Sequence, residues 1–161
     1  MSGVPLQPPR DGDLLAAAVK AVRKHRGMTT AEVAGAMNMA LRTYERFESG
    51  ATRLNLDHIH RFAAATNSDP YALILAVVTG SPELARRCAD NKMGTILTIA
   101  VQRFDRTIQD RLLDLDARTL IAAVTGMFDT LLDGNETTEQ AQAWLTTGAA
   151  ELLATRPKPG R

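Results

Sequence analysis

Apolar positions in the first half of the chain recur with the spacing of helices. Leu15, Ala18, Val19 and Val22 fall on one side of a helix expected from a cap at Asp13 to about His25, ended by Gly27. Lys20, Arg23, Lys24 and Arg26 make its last turns basic, which suits the negative helix end. Val33, Ala34 and Met37 mark a second, short helix, opened by Thr29 with Glu32 three residues on as a capping box and closed at Asn38. A third runs from Leu41 to Ser49 and stops at Gly50, a natural residue just past a helix end. A fourth is capped by Asn55 or Asp57, with Leu56, Ile59, Phe62, Ala63 and Thr66 inward. Ser68-Asp69-Pro70 announces a fifth, through Tyr71, Ile74, Leu75 and Val78 to Gly80, with proline at the first helical position. No strand pattern appears in this half.

The second half carries wider apolar faces. Ser81-Pro82 starts a short helix with Ala85, Cys88 and Ala89 inward. A long pattern from about Lys92 to Leu113 carries Ile96, Leu97, Ala100, Val101, Phe104 and Ile108. Asp116 caps a helix from Ala117 to Leu132, striped by Leu120, Ile121, Val124, Met127, Phe128 and Leu131, and Asp133-Gly134-Asn135 breaks it. A last helix from Thr137 or Thr138 carries Ala141, Trp144, Leu145, Ala149, Leu152 and Leu153. The expected fold is all-α: a five-helix domain over residues 13–80, then a three- or four-helix bundle over 81–155. A mobile arm (1–12) and a basic tail (156–161) flank them.

The third helix divides by face. Tyr44, Phe47 and Glu48 share one side; Leu41, Arg42, Glu45, Arg46 and Ser49 share the other. A short helix with an apolar back and an arginine-bearing front, set against a preceding helix, suits insertion into a DNA major groove.

Composition narrows the class. Apolar residues at 45% and charged residues at 23% are ordinary for a globular protein with a real core. The longest apolar run, Ala72 to Val78, is far short of the roughly 20 residues of a membrane span, and Met1 to Asp13 has no signal-peptide pattern. A lone Cys88 excludes an internal disulfide and fits a reducing cytoplasm, the expected location, with association to the nucleoid through DNA. His58 and His60 are two apart, about 200° around a helix, and cannot chelate together; no zinc or other metal site is expected. Net charge is +1, but residues 13–66 hold eight Lys/Arg against five Asp/Glu, and residues 81–155 hold seven against eleven. A basic first module for a polyanion and an acidic second one facing away from it follow.

Gly27-Met28-Thr29, Val33-Ala34, Asn38, Arg46-Phe47-Glu48 and Gly50 stand in the order of a known family. Residues from about Leu14 to Val78 resemble the helix-turn-helix domain of the lambda-repressor/Cro-like (xenobiotic-response-element) transcription regulators. Two positions depart from its pattern: Thr30 stands where glutamine is usual, and Ala40 where a serine usually caps the recognition helix, a cap weaker by about 1 kcal/mol. The resemblance implies double-stranded DNA as partner, with Leu41, Arg42, Thr43 and Arg46 facing bases and Thr29, Thr30 and Arg53 contacting phosphates. An arginine can hold guanine O6 and N7 bidentately; Leu41 and Thr43 suit a thymine methyl or a phosphate. Glu45 either accepts from cytosine or pairs with Arg42 or a basic neighbour. The resemblance also implies a structural ion pair between Arg23 and Glu48.

The wide stripes of the second half need a partner surface. A homodimer sharing one bundle through Ile96, Phe104, Leu120, Val124, Phe128, Trp144 and Leu152 is the economical solution, since helix-turn-helix proteins commonly span two half-sites. Packing on the first domain within one chain is an alternative; so is a ligand pocket lined by Trp144, Met127 and Phe128. No Ser/His/Asp or Cys/His grouping, phosphate-cradling glycine loop or metal signature is present, so neither an enzyme nor a cofactor is expected. The reading that results is a dimeric regulator, a repressor, of a palindromic operator. Its rivals are an antitoxin-like or phage-type adaptor whose last helices bind another protein, and a ligand-responsive regulator.

Overall fold

In a computed structural model, residues 8–133 and 139–157 are described, with the backbone alone for 139–142. Among them there is helix and no strand. The helices are α1 (Asp11–His25), α2 (Thr30–Ala36), α3 (Leu41–Glu48), α4 (Leu56–Thr66), α5 (Pro70–Val78), α6 (Pro82–Arg87), α7 (Met93–Ile108), α8 (Ala117–Leu132) and α9 (Glu139–Thr155). A 3-10 segment, Gln109–Asp114, follows α7. None of the described helices is long and apolar enough to cross a membrane. Residues 1–7 of the expected arm, Gly134 and Asn135 of the expected break, the helix start at Thr137 or Thr138, the Ala141 side chain and residues 158–161 of the tail lie outside the described residues. The chain forms two bodies, divided between Thr95 and Ile96.

In the first body, local chemistry ends each helix where the chain must turn. Gly27, Asn38, Gly50, Asn67 and Gly80 all have positive φ, the left-handed conformation that stops a helix. Gly50 is doubly constrained, because a Cβ there would also collide with the carbonyl oxygen of Gly12. At the other ends, Thr29 and Glu32 complete the capping box, and Asn55 accepts the amides of Asp57 and His58 at 2.9 and 3.2 Å. Asn55, not Asp57, is therefore the α4 cap. Asp13 is not the α1 cap either. The helix starts at Asp11 after Arg10, and Asp13 sits in the first turn, where it takes the Arg10 guanidinium at 3.0 Å. Two carboxylates in that turn complement the positive helix end.

Leu15, Ala18, Val19 and Val22 of α1 form the middle of the first core with Val33, Ala34, Met37, Tyr44, Phe47, Ile59, Phe62, Ala63 and Leu73. Leu56, expected inward, is 39% exposed. It opens α4 at the rim, while His60 is buried with its ring edge-on to Tyr71 at 5.4 Å. In α5 the buried side is Ala72, Leu73 and Ala76. The first body extends past Gly80: α6 packs on α1 and α5, and Ala85, Cys88 and Ala89 are buried. Ser81 occupies the α6 cap position without a side-chain cap bond.

Asp69 closes this body. Its Oδ1 accepts the amides of Tyr71 and Ala72 at 3.1 and 3.2 Å and the Thr95 hydroxyl at 2.8 Å; its Oδ2 accepts the Thr95 amide at 3.1 Å. One buried carboxylate thus caps α5 and holds the first turn of α7. Beside it, a Cβ on Gly94 would collide with the backbone nitrogen of Ala72, so glycine is what lets α7 begin this close to α5.

In the second body, α7 and α9 meet at Ile99, which is fully buried, and at Gly148, where a Cβ would collide with the Ile99 side chain. Arg103 lies over the Trp144 ring at 4.7 Å, and Glu151 faces Arg103 and Arg106 at 3.8 and 3.6 Å. Gln102 donates to the Thr155 hydroxyl at 2.9 Å. The expected α7 stripe is corrected by this contact. Ile99 is its buried member, whereas Val101 and Phe104 are 66% and 45% exposed, because the close approach at Gly148 selects the line of α7 that α9 covers. The α-helix also stops at Ile108 rather than Leu113, since Gln109 takes a positive φ. Asp116 caps α8 by accepting the Thr119 amide at 2.7 Å, and every residue of α8 is exposed.

Candidate nucleic-acid interface

The inward side of α3 is tied to α1 by a buried polar cluster. Arg23 donates from Nη2 to Glu48 Oε1 at 2.7 Å and from Nε to Glu48 Oε2 at 2.8 Å, a bidentate pair with side chains 15% and 6% exposed. Its third contact, Nη1 to the Met28 carbonyl at 3.0 Å, reaches the loop before α2. The Tyr44 hydroxyl donates to Glu48 from one turn earlier on α3. Burial alone would raise the Glu48 carboxyl, but the hydrogen bonds from Arg23 and Tyr44 outweigh it and hold Glu48 below the usual carboxylate range. Burial, with the carboxylate beside it, pushes the Tyr44 phenol well above its ordinary value. The cluster is therefore a locked, ionised guanidinium–carboxylate pair. Phe47 completes the inward side, with ring centroids 6.1 Å from Tyr44 and from Phe62 and edge contact with His58 at 5.7 Å.

Arg61 of α4 fixes the turn between α2 and α3. Its Nη2 donates to the Met37 carbonyl and, at 3.1 Å, to the Asn38 carbonyl. Sequence reasoning missed this residue. The available signal was the set of open carbonyls that any helix end must satisfy, but nothing local names the arginine that does so.

With its back held, α3 turns Leu41, Arg42, Thr43, Glu45, Arg46 and Ser49 outward, all exposed. Arg42 and Arg46, one turn apart, form no ion pair among the described residues, and Glu45 does not engage Arg42. Two unpaired guanidinium groups on one face of a helix are free to meet acceptors from outside. Ala40 stands at the α3 cap position with extended backbone and no side-chain cap bond.

The expected phosphate contacts are placed unevenly. The Thr29 hydroxyl accepts the Glu32 amide at 3.2 Å and donates to Glu32 Oε2 at 2.9 Å, so the capping box uses it. Thr30 is half-buried at the first position of α2. Arg53 is exposed in the loop after α3, beside a shallow groove that Arg10, Gly12, Gly50 and Thr52 also line.

Of the expected dimer residues, Leu152 is buried, Trp144 lies half-buried beneath Arg103, and Ile96 is half-buried. Phe104, Leu120, Val124 and Phe128 are 45%, 37%, 50% and 38% exposed. Met127 and Phe128, weighed above as pocket lining, are both exposed on α8.

Residues 19–73, from within α1 into α5, match the family model described as Helix-turn-helix. No curated protein and no solved structure matches the chain. The capped α2, the tight turn at Asn38 and the outward α3 are thus the working parts of a helix-turn-helix domain, which supports a DNA-binding role for residues 19–73.

Proposed function

We propose that this chain is a dimeric repressor that reads a palindromic operator, with α3 of each copy in the major groove. The observation that carries the reading is the division of α3: Arg42 and Arg46 point outward without ion-pair partners among the described residues, while Tyr44, Phe47 and Glu48 lock the other side. An arginine that donates two parallel bonds to guanine O6 and N7 contributes about 1–3 kcal/mol of discrimination. Leu41 and Thr43, at the start of α3, supply contacts to thymine methyls. Thr30 and Arg53 position the domain on phosphates without reading sequence. Thr29 is reassigned to α2 capping, since its hydroxyl is engaged with Glu32.

One eight-residue helix spans only a few base pairs, so useful specificity calls for two copies on half-sites about 34 Å apart. Occupancy of such a site blocks a promoter without any further activity, and no reaction is assigned to the chain. The test is a preferred site selected from random duplex DNA, then Arg42→Ala and Arg46→Ala measured on that site and on unrelated DNA at matched salt. Each variant is expected to lose about 5- to 150-fold in discrimination, with its circular dichroism unchanged. Full discrimination retained by both variants would refute the assignment.

A further inference from the structure

The outward helix α3 is held by different elements at its two ends. Tyr44, Phe47 and Glu48, its buried residues, all lie in its second half. Through them α1 and the core fix the part of the helix that carries Arg46. The first turn has no such anchor. Leu41, Arg42 and Thr43 are all exposed, and Ala40 at the cap position makes no side-chain cap bond. Where that turn lies depends on the chain just before it.

That chain leaves α2 through Asn38, whose φ is 50°. The Met39 amide bonds back to the Ala34 carbonyl at 2.9 Å and the Asn38 amide to the Gly35 carbonyl at 3.0 Å, a paired closure of the helix end. The carbonyls of Met37 and Asn38 lie outside this closure. Arg61 of α4 takes both with Nη2, the Asn38 carbonyl at 3.1 Å. Asp57, one turn earlier on α4, faces Arg61 Nη1 at 4.0 Å and steadies the guanidinium from its own helix. A non-glycine residue in the left-handed region persists where its surroundings fix it, and at Asn38 the fixing group comes from α4.

We infer that Arg61 is a positioning residue for base readout, which sets where Arg42 stands in the groove and leaves Arg46 to the Arg23–Glu48 anchor. Arg42 follows Asn38 by four residues, whereas Arg46 precedes Glu48 by two. Two parallel bonds from a guanidinium to guanine O6 and N7 tolerate little displacement. A first turn released from Arg61 therefore loses the Arg42 contact and keeps the Arg46 contact. This rests on the major-groove reading above and deepens it, placing a determinant of specificity on α4.

The test uses the full chain on a site selected from random duplex DNA. The base pairs at which Arg42→Ala and Arg46→Ala each flatten preference are assigned first. Arg61→Met is then expected to cut preference at the Arg42 pairs by about 5-fold or more, and at the Arg46 pairs by less than about 2-fold. Added to Arg42→Ala it should change discrimination by less than about 2-fold; added to Arg46→Ala it should again cost about 5-fold or more. The slope of affinity against salt stays that of wild type. Arg61→Gln, with a polar end too short to reach the turn, gives the same comparison if Arg61→Met melts below the assay temperature. A uniform loss at all base pairs, with the salt slope smaller by about one, would make Arg61 a phosphate contact and overturn the inference. Equal losses at the Arg42 and Arg46 pairs would overturn it as well, since the whole domain would then be loosened. If Arg42→Ala flattens preference while the folded Arg61 variants keep it, this inference alone falls. If Arg42→Ala changes preference at no base pair, the base-reading assignment of Arg42 falls and this inference with it.

Discussion

Replacing Glu48 by alanine removes the acceptor of three hydrogen bonds at once. Arg23 Nη2 and Nε, at 2.7 and 2.8 Å, and the Tyr44 hydroxyl all lose their partner in a site where the Arg23 side chain is only 15% exposed. Breaking one side of a buried ion pair costs about 3–5 kcal/mol. Arg23 keeps its bond to the Met28 carbonyl and some access to water, which brings the expected loss to about 2–4 kcal/mol. For a body of this size, roughly 4–8 °C per kcal/mol places the fall in Tm at about 10–30 °C, read by calorimetry and circular dichroism. A double-mutant cycle separates the pair from simple loss of packing. Arg23→Met with Glu48→Leu replaces both charges by apolar groups and should be less destabilising than the two single changes added together, by about 1–3 kcal/mol. Tyr44→Phe, which deletes one bond and little volume, should cost about 1 kcal/mol. A loss below about 0.5 kcal/mol for Glu48→Ala, or strict additivity in the cycle, would refute the view that this cluster holds the recognition helix to α1.

Three further outcomes follow from single features. Glu48 is held below the carboxylate range in the folded chain, so the unfolded chain binds its proton first. The stability this supplies is complete above the unfolded value of about 4.3 and is lost as pH falls through the folded one. Melting between pH 7 and 3 should therefore fall less steeply for Glu48→Gln than for wild type, and parallel curves would count against the mechanism. Ala40→Ser supplies the missing α3 cap at an exposed residue whose backbone already has cap geometry; stability measured in urea should rise by about 0.5–1 kcal/mol. Gly94→Ala forces a methyl onto the Ala72 backbone and should cost more than about 2 kcal/mol. A melting temperature within 1–2 °C of wild type, on the order of the smallest resolvable change, would show that α7 does not need that approach.

What the sequence alone determined is what lies within a turn's reach of itself. Thr29 and Glu32 are three residues apart, Asp69 sits directly before Pro70, and Asn38 and Gly50 can adopt positive φ, so caps and stops were legible as chemistry. The two faces of α3 were legible for the same reason, because a 3.6-residue period sorts Tyr44 and Phe47 from Arg42 and Arg46 without reference to any other element. The α1 start was misread because Asp11 and Asp13 both suit a first turn, and only the Arg10 contact distinguishes their roles. Long-range partners carried no such signal. Nothing near Arg61 says that it will reach the carbonyls of Met37 and Asn38, and nothing near Asp69 says that it will hold Thr95. The stripes of α7 and α8 look alike on paper. Only the tertiary structure decided that Ile99 is covered, through an approach that Gly148 permits, and that α8 is left open. An apolar face states that a helix needs a partner, but which partner depends on how closely two backbones can come together, and that distance is set by contacts far apart in the chain.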